Sequence, residues 1–175
     1  MILGDNMKKI SIIISLLLVI FLICGCEEKK EKIIINNEPI NTSTMEHKHC
    51  TREASATGAE VKLEYDIYYT GDVLNILKSR EEVISADDEL LNTYEEAYKK
   101  IHANYEGVDY YDTEVIRGDT TVTSIMNINY DKIDVSKLIE IEGEEDNIFE
   151  NNVPKASKWL SFAKKFGTTC ELVED

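Results

Sequence analysis

From residue 60 onward the chain alternates between apolar and polar positions. Val61, Leu63, Tyr65, Ile67 and Tyr69 are interleaved with Glu60, Lys62, Glu64, Asp66 and Tyr68, the period of two that marks a strand with one buried face. Ala56-Thr57-Gly58 before this run and Thr70-Gly71-Asp72 after it carry hairpin-turn chemistry, and residues 73–84 supply the next strand. Ser85-Ala86-Asp87-Asp88 offers N-cap side chains to a helix over residues 89–105. Its stripe of Leu90, Leu91, Tyr94, Ala97, Tyr98, Ile101 and Tyr105 has the period of a core-facing helix. A second hairpin is expected over 112–117 and 121–130, turning at Gly118-Asp119, then a short helix near 134–139. Beyond Pro154, Ala156, Trp159, Leu160, Ala163 and Phe166 mark an amphipathic helix stopped by Gly167, with a closing strand over 169–173. Strands joined by tight turns, with helices standing apart, predict the α+β class: an antiparallel sheet of about five or six strands, packed on one face by two or three helices.

The first 26 residues follow another pattern. Met7-Lys8-Lys9 precedes an apolar run from Ile10 to Ile23, about the length of a signal-peptide core and shorter than the ~20 residues a spanning helix needs. Asp5 is foreign to such a basic leader, so Met1 and Met7 are both candidate starts. Ile23-Cys24-Gly25-Cys26 resembles the bacterial lipobox: small residues admit the signal peptidase, and a thiol forms the thioether to diacylglycerol. Gly25 precedes Cys26, whereas bulky Ile23 precedes Cys24, so Cys26 is the expected lipid-attachment residue. Its acyl chains, at about 0.8 kcal/mol per buried methylene, make a lasting anchor. The expected organisation is a signal peptide over 1–25, a lipidated flexible tether over 26–48 and a single α+β domain over 49–175. The expected place is the outer face of the bacterial cytoplasmic membrane.

Charge narrows the partners. The chain carries 34 acidic against 19 basic residues, a net −15, and loss of Asp5, Lys8 and Lys9 with the leader would bring it to −16. Such a surface repels a phosphate backbone, so nucleic acid is not an expected partner, and anionic head groups are repelled as well.

Cys50 and Cys170 would remain after processing and acylation, one near each end of the folded region, in an oxidising compartment. A disulfide between them would join the first strand to the last; free thiols or metal ligands are the competing assignment. His47-Lys48-His49-Cys50 gathers two imidazoles and a thiol able to ligate Zn or Cu ions. His102 is expected half-exposed on its helix, and Arg117-Gly118-Asp119 is expected at a hairpin tip. Glu142-Gly143-Glu144-Glu145-Asp146-Asn147 lacks the ligand spacing of a calcium loop.

Cys50-Thr51-Arg52 opening a strand, the helical Tyr94-Glu95-Glu96-Ala97-Tyr98, the hairpin into Ile128-Asn129-Tyr130-Asp131 and the closing helix with Gly167 together resemble the YehR-like lipoproteins. The resemblance spans Cys50 to the C-terminus. It implies an α+β domain on a lipidated tether and transfers no functional residue beyond the acylated cysteine, here Cys26. Gly-x-Ser-x-Gly, P-loop, His-Glu-x-x-His and Gly-x-Gly-x-x-Gly patterns are absent from the sequence, and no cofactor is implied. The expected role is a non-catalytic envelope binding or structural module, tethered to the lipid bilayer through Cys26 and either binding a protein, glycan or small ligand or supporting the cell surface. The alternative is a metal-binding or sensing lipoprotein using His47, His49 and Cys50.

Overall fold

The computed structural model describes residues 33–143 and 148–174. The expected signal peptide, Cys26 and the centre of the acidic loop (144–147) lie outside the described residues. The described elements are β1 (Ile33–Ile35), β2 (Glu38–Ile40), β3 (Glu46–Ala56), β4 (Ala59–Thr70), β5 (Val73–Ile84), α1 (Asp88–Ala103), β6 (Tyr111–Arg117), β7 (Thr121–Asn129), α2 (Val135–Glu142), β8 (Phe149–Glu150), β9 (Val153–Pro154), α3 (Ala156–Lys165) and β10 (Thr169–Leu172). Six strands form one antiparallel sheet in the order β10-β3-β4-β5-β7-β6. The class is α+β, as the pattern predicts.

Alternation assigns the two faces of the sheet. One face carries Cys50, Ile67, Leu77 and Ile128, which join Leu138 of α2 and Trp159 and Ala163 of α3 in the larger core cluster. Towards the other end of the same face, Val61, Val83 and Val122 meet Leu91 and Tyr98 of α1. All three described helices therefore cover one side. Asp87 caps α1 by accepting from the amides of Glu89 (3.0 Å) and Leu90 (3.2 Å). Leu91 and Tyr98 define the inward line of that helix. His102, about three turns on from Leu91, continues it and hydrogen-bonds Ser124 Oγ at 2.9 Å. Ile101, expected in the apolar stripe, lies off this line and is 52% exposed.

The opposite face gives the main correction. Residues 33–48 were expected to be part of a flexible tether; instead they are built into the domain. β1 and β2 pair as a hairpin around Asn36-Asn37, both at positive φ (54° and 61°), the backbone of a two-residue turn of the primed type that asparagine tolerates. Ile33 and Ile35 pack on Ile76 across the sheet face that the helices leave open. The Asn36 amide donates to Asp112 Oδ2 at 2.7 Å, and Lys132 pairs with Glu38. The physical reason is that Ile76 projects from the uncovered face and needs an apolar cover, which Ile33 and Ile35 supply. β3 accordingly starts at Glu46, and Cys50-Thr51-Arg52 lies inside it rather than opening it.

Candidate functional site

The bridge sits where the two chain ends of the sheet meet. Cys170 of β10 is directly opposite Cys50 of β3, and the two are disulfide-bonded. Cys50 is fully buried. This removes it from the metal set expected with His47 and His49. Its sulfur is bonded to another sulfur, and strand alternation turns it to the helix-covered face while the two histidines face the other way.

His47 and His49 instead converge on one carboxylate. His47 Nε2 and His49 Nδ1 each lie 2.9 Å from the same oxygen, Oδ1 of Asp66, on the neighbouring strand. An ionised carboxylate only accepts, so both nitrogens donate, and neither offers that lone pair to a metal. Among the described residues no group of three His, Cys, Asp or Glu side chains is arranged to hold a metal ion. Burial alone would raise the Asp66 carboxyl, but the hydrogen bonds from His49 and His47 and their charge outweigh it and hold it below the usual carboxylate range. Tyr68 stacks on His47 with ring centroids 4.2 Å apart. The cluster braces β3 against β4.

Arg117, expected at an exposed tip, is engaged with α1. Its guanidinium pairs with Asp88 and reaches Glu95 at 3.6 Å, so the tripeptide does not present a free arginine.

A cleft lies on the helix-covered face, beside α3, with a volume of about 300 Å³. Its floor is Tyr65 and Met126 of the sheet, and its wall is Trp159 and Phe162 of α3 with Phe166 at the C-cap of that helix. Arg52 of β3 and Thr168, just after α3, add polar atoms. Trp159 meets Tyr65 edge-on at 5.2 Å, an arrangement that fits the aromatic quadrupoles. Phe162 and Phe166, one turn apart, are 47% and 53% exposed. Together they extend the apolar lining of the cleft out to the surface.

Two long-range contacts hold α3 in place. Lys155 at its N-cap gives no side-chain cap. Asp72, in the β4–β5 turn, caps it from outside: its carbonyl accepts from the Ala156 amide (3.0 Å) and its carboxylate from the Ser157 amide (2.9 Å). Those bonds from Ser157 hold the Asp72 carboxyl low. At the other end Gly167, at φ +83°, ends the helix, and the disulfide ties the following strand to β3. Tyr65 remains a phenol at neutral pH, since burial first and the Glu81 charge second raise it against the smaller influence of Arg52.

None of these cleft residues was singled out as a constellation by sequence reasoning. Tyr65 and Trp159 read as core, and Arg52 as part of a strand. Phe166, expected in the apolar stripe with Trp159 and Ala163, is instead exposed, and Phe162, which falls outside that stripe in the sequence, was the one local signal.

The described residues form a six-stranded antiparallel sheet with three helices on one face, a fold like that of two solved structures. It is similar to the NMR structure of the Escherichia coli YehR protein, with 16% identity over 74% of this chain and 94% of that one and a TM-score of 0.52. It is also similar to the NMR structure of a protein from Streptococcus pneumoniae TIGR4, with 18% identity over 77% of this chain and 89% of that one and a TM-score of 0.50. No protein-family model and none of the curated proteins matches the chain.

Proposed function

We propose that this is a lipid-anchored bacterial envelope protein of the YehR-like lipoprotein kind, whose folded domain binds a ligand rather than transforming one. The observation that carries the binding role is the cleft beside α3, whose groups are a guanidinium, a phenol, a hydroxyl and aromatic rings. These are recognition groups: they stack, donate hydrogen bonds and neutralise an anion.

The anchoring rests on Met7-Lys8-Lys9, the apolar run and Ile23-Cys24-Gly25-Cys26. With β1 starting at Ile33, Glu27–Lys32 are all that separate Cys26 from the domain, and seven residue steps reach at most about 25 Å. An acylated Cys26 would hold the domain close to the bilayer, while its negative charge keeps it from lying on anionic head groups.

Fractionation of cells expressing the full chain tests the reading. Wild type is expected in the membrane fraction, with a mass matching cleavage before Cys26 and addition of acylated glycerol. A Cys26→Ser chain that stays in membranes at the wild-type mass overturns the anchor. A turnover activity abolished by one substitution in the cleft overturns the non-catalytic role.

A further inference from the structure

We infer that the cleft beside α3 is a site for a small amphipathic monocarboxylate, its apolar body lying against Trp159, Tyr65 and Phe162 and its carboxylate paired with Arg52. The inference rests on the binding-module reading and names its ligand class.

Arg52 is the informative residue. The chain has three arginines. Arg80 pairs with Glu82 at 2.9 Å, and Arg117 pairs with Asp88 and Glu95. Arg52 pairs with no carboxylate among the described residues, although acidic residues outnumber basic ones 34 to 19. It is half-buried and lines an apolar cleft. A guanidinium in that setting loses hydration without a counter-ion in return, and an entering carboxylate restores the balance through two parallel charge-assisted hydrogen bonds. The Tyr65 hydroxyl, on the adjacent strand, is a neutral donor in the same cleft.

Charge and size limit the ligand further. Glu81 lies in the same cross-strand row as Arg52, with Leu63 between them, so it stands about 10 Å away across two strands. Its charge and the net −15 of the chain favour one negative charge over two. About 300 Å³ is roughly ten waters' worth of space, enough for a head group and a short aliphatic or aromatic body. A bulkier lipid would have to leave its tail along the exposed Phe162 and Phe166.

Trp159 is the chain's single tryptophan and lines the cleft, so its emission reports occupancy directly. The experiment uses the full chain anchored in phosphatidylcholine vesicles and titrates octanoate, its uncharged isostere octanamide, and octyl phosphate. Octanoate is expected to give a saturable Trp159 response with the lowest half-saturation concentration. Arg52→Gln should raise that concentration about tenfold to a hundredfold and leave the octanamide value within threefold. Phe162→Ala/Phe166→Ala, at exposed positions, should weaken octanoate and octanamide alike. Octanoate binding undiminished in Arg52→Gln, or octyl phosphate binding tighter than octanoate, overturns the assignment. So does the absence of a saturable response to any probe in a chain that still fractionates as acylated, an outcome that leaves the anchoring intact.

Discussion

Breaking the Cys50–Cys170 bridge should reveal how far the two ends of the sheet depend on a covalent tie. The cysteines are 120 residues apart in sequence. In the chain-entropy description, closing a loop of that length in the unfolded state stabilises the fold by about 5 kcal/mol at 25 °C. For a body of some 140 residues, with an unfolding entropy of about 2.1 cal/mol/K per residue, that corresponds to a fall in melting temperature of about 15 °C. Two forms separate the crosslink from packing. The reduced wild type keeps both sulfurs in place, so its difference from the oxidised protein isolates the tie. Cys50→Ala/Cys170→Ala also removes the buried Cys50 sulfur and should lie a further ~1 kcal/mol lower. Scanning calorimetry measures the three, and hydrogen exchange follows β10, which has only four residues and pairs with a single neighbour. In the reduced protein β10 amides should exchange well before those of β4 and β5. A reduced form melting within about 3 °C of the oxidised one would refute the reasoning, since the loop would then already be closed by non-covalent contacts.

Two further outcomes follow from the buried groups. Ile35 is fully buried under the sheet face that the helices do not cover, so Ile35→Ala should destabilise the domain by about 2–5 kcal/mol in urea denaturation; a change below about 0.5 kcal/mol would return residues 33–48 to the status of a tether. His102 is held below its usual titration range by burial. Its neutral form is favoured in the fold, so its contribution is present in full above about pH 6.5, the unfolded value, and is lost as pH falls through the lower folded value. An NMR titration of His102 should give a value below 6.5, and His102→Gln should flatten the decline of stability over that window; an unchanged slope would discount it.

Local pattern and long-range contact divide the explanation of this molecule. The period of two in residues 60–69, the inward line of α1 through Leu91 and Tyr98, the Asp87 cap and the turn glycines are properties of a few neighbouring residues, and they specify strands, helices and the α+β class before any tertiary contact exists. The pairing of Cys50 with Cys170 was also within reach, because on the expected processing only these two cysteines would remain, one near each end of the expected domain. The β1–β2 hairpin was partly legible in Ile33-Ile34-Ile35-Asn36-Asn37, where an asparagine pair follows an apolar run; the neighbouring charges and Pro39 masked it. Other features required the tertiary structure. Which face Ile76 presents, that Asp72 caps a helix 85 residues away, that His47 and His49 share the Asp66 oxygen, and that Arg117 meets Asp88 while Arg52 meets no carboxylate among the described residues, all depend on residues far apart in sequence. A side chain's periodicity fixes its direction from its own backbone, but what it meets there is decided by the packing of distant segments.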